Sequence, residues 1–278
     1  MMYSRPTMTS PSNNLSQNIT IEGPSMAPSS TSNFTTKFAA MMFSVTAYTP
    51  FRTMALCLNS EIPIPRSVKV LYRPFISNFL CTHQLAVMQY FYGVFNQTIY
   101  PQEEKSSIQK IAIAAISGAA STPTTTPCEF LSLMESNKKS GRGLPIGSYW
   151  RGSFMMTARQ SLLGIGSLAL PEIFSKQIQY YFPDYGKEYP ISMQMGCSFA
   201  GSGVSSIVSQ LPEVARVKMQ LNPDLTISQA VKDSWKFMKT EKGIKAAGYR
   251  FVVIAIALTV YRTSTEVISQ CMSRRRAA

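Results

Sequence analysis

Six stretches of about twenty residues, almost free of charge, dominate the sequence and restrict what it can fold into. They run near 38–58 (Arg52 its only charge), 74–96 (no charge), 111–134 (Glu129), 152–174 (Arg159, Glu172), 191–215 (Glu213) and 251–271 (Arg262, Glu266). A helix rises 1.5 Å per residue, so roughly 20 residues cross a bilayer core of about 30 Å. None of the six is uniformly apolar: Ser, Thr, Gly and Gln recur, as in Ile116-Ser117-Gly118-Ala119-Ala120-Ser121. Helices of this kind want one face in lipid and another against a polar interior or a close neighbour. Six buried helices of a water-soluble bundle are the alternative. Six such stretches joined by charged loops weigh against it.

Composition agrees. Only 15% of residues are charged, where a soluble domain carries about a quarter. Lys and Arg number 27 against 14 Asp and Glu, giving a formal net charge of +13. A basic chain with few charges suits a membrane facing anionic lipid better than it suits nucleic acid, whose binders cluster cations with aromatics between them. Abundant Phe, Tyr and Met exclude a wholly disordered chain. The cysteines at 57, 81, 128, 197 and 271 form no CxxC pattern, and His83 is the only histidine. No metal site, disulfide framework or histidine-based catalytic set is therefore expected. An enzyme is not expected either.

Residues 1–36 stand apart, a Ser/Thr/Asn/Pro-rich extension whose only charges are Arg5 and Glu22. Such a segment has too little apolar surface to fold alone. Between the stretches, the loops after the first, third and fifth hold fifteen Lys and Arg against nine on the other side. The richer side is expected on the cytoplasmic or matrix face, with both termini opposite.

The stretches also repeat. The first ends Thr49-Pro50-Phe51-Arg52, the third Thr126-Pro127-Cys128-Glu129, and the fifth Leu211-Pro212-Glu213-Val214-Ala215-Arg216. Pro127 lies 77 residues beyond Pro50, and Leu211 lies 84 beyond Pro127. After each comes a basic piece and an aromatic–basic pair: Tyr72-Arg73, Trp150-Arg151-Gly152 and Tyr249-Arg250. A proline inside a helix removes one hydrogen bond and kinks it. Three kinks let three helices converge at one end.

On these residues the chain resembles the mitochondrial carrier family over about 37–276. That resemblance implies an all-α membrane protein of six transmembrane helices in three pseudo-threefold repeats, here 37–110, 111–190 and 191–278. It implies a matrix gate of ion pairs between the odd helices, an opposite gate on the even ones, and a mitochondrial inner-membrane location with both termini toward the intermembrane space. At the acid positions of the matrix gate stand Arg52, Glu129 and Glu213; at the base positions stand Ala55, Ser132 and Arg216. Glu129 with Arg216 is then the one matched pair, and Arg52 is expected to face Glu213. Glu172 and Arg274 are the remnants of the opposite gate. Arg159 and Gln160, at the family's central contact site, are cavity candidates together with His83. Cardiolipin is the lipid implied at Trp150, Arg151 and Gly152, where a helix N-terminus favours an anion, and less completely at Tyr72, Arg73, Tyr249 and Arg250.

Two functions are compatible with this pattern. One is a non-transporting accessory subunit of a larger inner-membrane complex, with the respiratory chain as a plausible host. The other is a divergent transporter of a keto acid or dicarboxylate. Depleted gates and a polar tail that wants a protein partner favour the first. No cofactor is expected.

Overall fold

The computed structural model describes residues 32–99, 105–139 and 144–257. The fold is all-α, with no strand among the described residues. The helices are, in chain order, α1 (Ser32–Asn59), a single turn α2 (Val68–Leu71) and α3 (Phe75–Thr98). Next come α4 (Ser107–Ala120), α5 (Thr122–Ser136), the turn α6 (Ile146–Tyr149), α7 (Ser153–Gly164), a π-helical turn (Ile165–Ala169), α8 (Leu170–Tyr181) and α9 (Pro183–Glu188). Last are α10 (Pro190–Val208), α11 (Gln210–Leu221), α12 (Ile227–Met238) and α13, at 241–257. The N-terminal extension to residue 31 and the end from 258, which holds Arg274, lie outside the described residues.

Local chemistry sets the element starts. Ser106 and Gln109 close a capping box at α4, and Thr226 and Gln229 close another at α12, each satisfying two amides that the first turn leaves without partners. Of the three basic pieces after the prolines, only α12 is a full amphipathic helix, burying Ala230, Ser234 and Phe237. The other two are single turns, because Pro63, Pro65 and Pro145 interrupt them.

Six rods result: α1, α3, α4–α5, α7–α8, α10–α11 and α13. They close into a ring in chain order. α1 packs on α3, α3 on α4 and α5, α4 on α7, and α8 on α10. Phe251 of α13 meets Phe199 of α10 edge to face at 5.3 Å. Ser44 of α1 donates to the Ala257 carbonyl of α13 at 3.1 Å, which completes the circuit. Where α4 crosses α7 the backbones touch: a Cβ on Gly118 would collide with the Gln160 carbonyl. Only glycine fits there.

Two of the three odd rods break, neither at the motif proline itself. α1 runs unbroken through Pro50. The second odd rod breaks at Ser121, beside Pro123 and six residues before Pro127; the third breaks at Ser209, before Pro212. Pro50 has no amide to give Thr46, one turn back. The Tyr72 hydroxyl donates to that Thr46 carbonyl at 3.1 Å.

Beyond Pro50 and the two breaks the three odd rods meet. Gln210 Nε2 donates to Asn59 Oδ1 at 3.2 Å, Asn137 Nδ2 to Ser60 Oγ at 3.2 Å, and Leu56, Phe130, Leu133, Met134 and Val217 form their shared apolar cluster. Elsewhere the distribution is inverted. Ser44, Thr49, Asn78, Ser117, Thr125, Ser132 and Ser205 are buried, while Phe43, Ile76, Leu80, Ile116, Phe154 and Ile207 stand exposed. No helix among the described residues is long and apolar enough to cross a membrane. Their inward faces of Ser, Thr, Asn and Gln hold the mean hydropathy down.

Candidate functional site

The convergence of the odd rods places five charged groups in one buried knot. Arg52 comes from α1, Glu129 from α5, Arg159 from α7, and Glu213 with Arg216 from α11. Glu129 sits at the centre. Arg52 Nη2 is 2.5 Å from its Oε2, Arg159 Nη1 is 3.1 Å from its Oε1, and Arg216 Nη2 is 3.6 Å from its Oε2. Glu213 takes a fork from Arg216 on its own helix, at 2.8 and 3.1 Å, and an ion pair from Arg159 Nε at 3.1 Å. Arg216 Nη1 also donates to Gln220 Oε1 at 2.5 Å. Burial of such charges is tolerable only because each has an opposite partner at close range.

This differs from the sequence expectation in three respects. Arg52 faces Glu129 rather than Glu213. Glu129 with Arg216, expected as the one intact pair, is the longest contact of the knot, because Arg216 turns toward Glu213 one turn back. And Arg159, expected to face a cavity, bridges both acids. A long side chain on an even rod thus supplies the base that Ala55 and Ser132 lack. At the vacant base position, Ser132 donates to Asn78 Oδ1 at 2.7 Å, a neutral contact in place of an ionic one.

Of the other cavity candidates, Gln160 is fully buried and His83 is half-buried. Gln160 Nε2 donates to Gln84 Oε1 at 2.9 Å and to Thr125 Oγ1 at 3.4 Å. The His83 ring lies against the Leu80 carbonyl of its own helix. Among the described residues no His, Cys, Asp and Glu group is placed to hold a metal.

The aromatic–basic pairs divide. Trp150 is exposed, Arg151 is half-buried, and Gly152 caps α7 at φ +76° with no side-chain cap. That backbone region favours glycine. A Cβ there would also come 3.3 Å from Arg216 Cγ, so the turn leans on the knot. The Arg151 Nε is buried without a hydrogen-bond partner, and its carbonyl accepts from Gln220 at 3.2 Å. Tyr72 donates to the Thr46 carbonyl that Pro50 leaves open, and Arg73 is exposed. In the third, Tyr249 packs with Leu58, Val214, Phe237 and Ala246, while Arg250 is buried. Its Nη1 donates to the Ser209 carbonyl at 2.8 Å and its Nη2 to Ser209 Oγ at 2.8 Å, gripping the break before α11. Tyr72 and Arg250 therefore bond backbone carbonyls, one turn before Pro50 and at the break before α11, a role the sequence did not signal.

At the far end Glu172 pairs with Lys110 of the neighbouring α4 at 2.6 Å, and its side chain is 46% exposed. Arg274 lies outside the described residues. At the knot end, on the surface, Lys218 reaches Glu61 at 2.8 Å. In α13's first turns a hydrogen bond from exposed Lys245 holds the Glu241 carboxyl below its usual range and the Lys245 ammonium above its own.

No protein-family model matches the chain, and no curated protein matches it.

Proposed function

We propose that this chain is a membrane-spanning protein of mitochondrial-carrier type in the mitochondrial inner membrane, serving as a non-transporting accessory subunit of a larger assembly there, the respiratory chain being a plausible host. Its outward apolar and inward polar side chains support the membrane part. A ring of six rods that exposes Phe, Ile and Leu while burying Ser, Thr and Arg suits lipid outside and a polar axis inside. α3 carries no charge over 24 residues, a length of roughly 36 Å, although its hydropathy falls short of that of a membrane span.

One observation carries the non-transporting part: the unequal strength of the two ends. Alternating access needs two closures of comparable free energy, since a gap of about 5.5 kcal/mol separates 1:99 from 99:1 populations. The knot end joins four rods through five buried charges. Breaking one buried pair costs about 3–5 kcal/mol. Among the described residues the far end offers Lys110–Glu172, whose side chains are 15% and 46% exposed, with Tyr92 also hydrogen-bonded to Glu172, and a pair open to water on one side gives about 1 kcal/mol. Such a protein rests in one state. The sequence argued the same function from weak gates; the structure supports it from one strong gate.

The second reading, a transporter of a keto acid or dicarboxylate, has one observation in its favour. Three guanidinium groups meet two carboxylates in the knot, an imbalance that one added carboxylate would settle. Cardiolipin at Trp150–Gly152 belongs to both readings. An exposed indole, an uncapped helix start and the unpartnered Arg151 Nε support it.

Gentle solubilisation of native membranes separates the two. The expected result is co-migration with a large inner-membrane complex, and no uptake of keto acids or dicarboxylates into proteoliposomes. Recovery as a small species, with uptake abolished by Arg159→Ala, would reverse the order of the readings.

A further inference from the structure

The stretch 222–250, at the knot end of the bundle, is described throughout and holds five lysines against three acids. Within it α12 turns Ala230, Ser234 and Phe237 inward. Ala230 joins Met155, Ala215 and Met219, and Phe237 joins Leu58, Val214 and Ala246. The apolar face of α12 is thus covered by α1, α7, α11 and α13. On the opposite face Lys232, Lys236 and Lys239 follow one another at i, i+4 and i+7, and all three are exposed. Trp235 stands beside them, 55% exposed, with the Lys239 ammonium 5.4 Å from its ring centroid. Among the described residues no ion pair joins these lysines to an acid. Glu241 is taken by Lys245 at 2.5 Å, Asp233 is half-buried, and Asp224 lies before the helix. A row of cations with one ordered indole is left facing outward.

We propose that this face of α12 docks a partner protein through an acidic helix. Lysines one turn apart stand about 6 Å from each other, and the row spans about 10 Å. A partner helix presents carboxylates at i, i+4 and i+7 over the same interval. Opposite charge across such a contact steers the encounter and sets its register. Trp is among the side chains that most often anchor a protein interface, and the cation–π contact holds this one in place before a partner arrives. Other anionic surfaces fit less well. A helix lying on a bilayer gives its apolar face to the acyl chains, and that face of α12 is already occupied by the bundle. Single-stranded nucleic acid stacks its bases on successive aromatics, and this row has one. The docking chemistry stands on α12 alone; that the partner is a neighbouring subunit rests on the accessory role proposed above.

The test uses the full chain in nonionic detergent and a dye-labelled helical peptide, with three Glu one turn apart and a Leu beside them. Binding is read by fluorescence anisotropy. The wild type should bind, and Lys232→Gln/Lys239→Gln and Trp235→Ser should each raise Kd about tenfold. Lys69→Gln/Lys138→Gln removes two exposed lysines elsewhere at the same end and should leave Kd unchanged. An equal loss in that control would show a diffusely basic end and overturn the docking face. No binding by the wild type, or a Trp235→Ser Kd equal to its own, would overturn it too. Displacement of the peptide by dihexanoyl phosphatidylglycerol or by oligouridine, at lower concentration than by unlabelled peptide, would replace the protein partner with lipid or nucleic acid. If the double variant fails to fold, Lys232→Gln alone decides: weaker binding supports the face, and unchanged binding rejects it. A protein that migrates alone in native gels yet binds through Trp235 and these lysines breaks the accessory-subunit reading and leaves this face intact. Co-migration with a large complex without peptide binding does the reverse.

Discussion

The two ends of the bundle use the same residue types to opposite effect. At the knot end, five charges are drawn from four rods into a volume that water does not reach, and every acid has at least two cationic neighbours. At the far end, Lys110 and Glu172 bridge two adjacent rods at the surface, flanked by further lysines and tyrosines. The first arrangement fixes which rods touch. The second leaves Glu172 half exposed. Burial, more than the number of ionic groups, makes one end a lock and the other a weak clasp, because desolvation raises the cost of separating charges and exposure cancels it.

The hardest blow to that contrast is Glu129→Gln. It keeps the shape of the side chain but leaves Arg52 without any acidic partner found among the described residues, and takes one each from Arg159 and Arg216. We expect a loss of about 3–5 kcal/mol in unfolding free energy in mixed micelles. A loss below about 1 kcal/mol would mean that the knot is wet and no stronger than the far end.

Removing the bridge tests the arrangement more finely. In Arg159→Met each acid keeps a partner, Arg52 for Glu129 and Arg216 for Glu213, so about 1–3 kcal/mol should be lost. Arg52→Met should cost less still, because Glu129 keeps two cations and the excess of positive charge falls. The order Glu129→Gln, Arg159→Met, Arg52→Met, from most to least damaging, is the signature of a shared knot. Equal costs for the two arginines would show independent pairs instead.

Much of the fold could be read from residue order. The six charge-poor stretches mark the six rods as far as the described residues reach, while of the three odd rods that the proline pattern marks two break, at Ser121 and Ser209 rather than at the prolines themselves. What could not be read is which way long side chains turn. Arg159 was placed by its offset from Gly152, which fixes its height along α7 but not that its guanidinium reaches Glu129 and Glu213. Arg250 sits in a motif that suggested lipid, and it turns inward, donating to the carbonyl and the hydroxyl of Ser209 at the break. The break at Ser121 escaped for a related reason: Pro123 and Pro127 compete for one rod, and pattern alone does not choose between them. Pair identities in the knot depend on rotamers across four rods, information that sequence spacing does not hold.

Between the extremes lies the hydrogen bond that Tyr72 makes to α1 one turn before Pro50. Tyr72→Phe removes the donor to the Thr46 carbonyl that Pro50 leaves open. The loss should be about 1 kcal/mol, the net value of one hydrogen bond. Amide exchange should quicken around residues 46–50 while the knot stays protected. Faster exchange at both places would mean that this turn of α1 and the knot open together, and the lock would then be a hinge as well.

The smallest effect is expected at the far end, and it bears most directly on function. Glu172→Gln should cost no more than about 1 kcal/mol. Because Glu172 is half exposed, that cost should shrink as salt rises and the Debye length falls to about 10 Å or less. The cost of Glu129→Gln should be nearly unmoved by the same salt. A salt-insensitive loss in Glu172→Gln as large as that of Arg159→Met would mean that the far end is locked as firmly as the knot. Two closures of equal strength are what an exchanger needs, so that outcome would move the balance from an accessory subunit to a transporter. A small, salt-screened loss leaves the proposed non-transporting reading in place, with the knot as the one firm closure among the described residues.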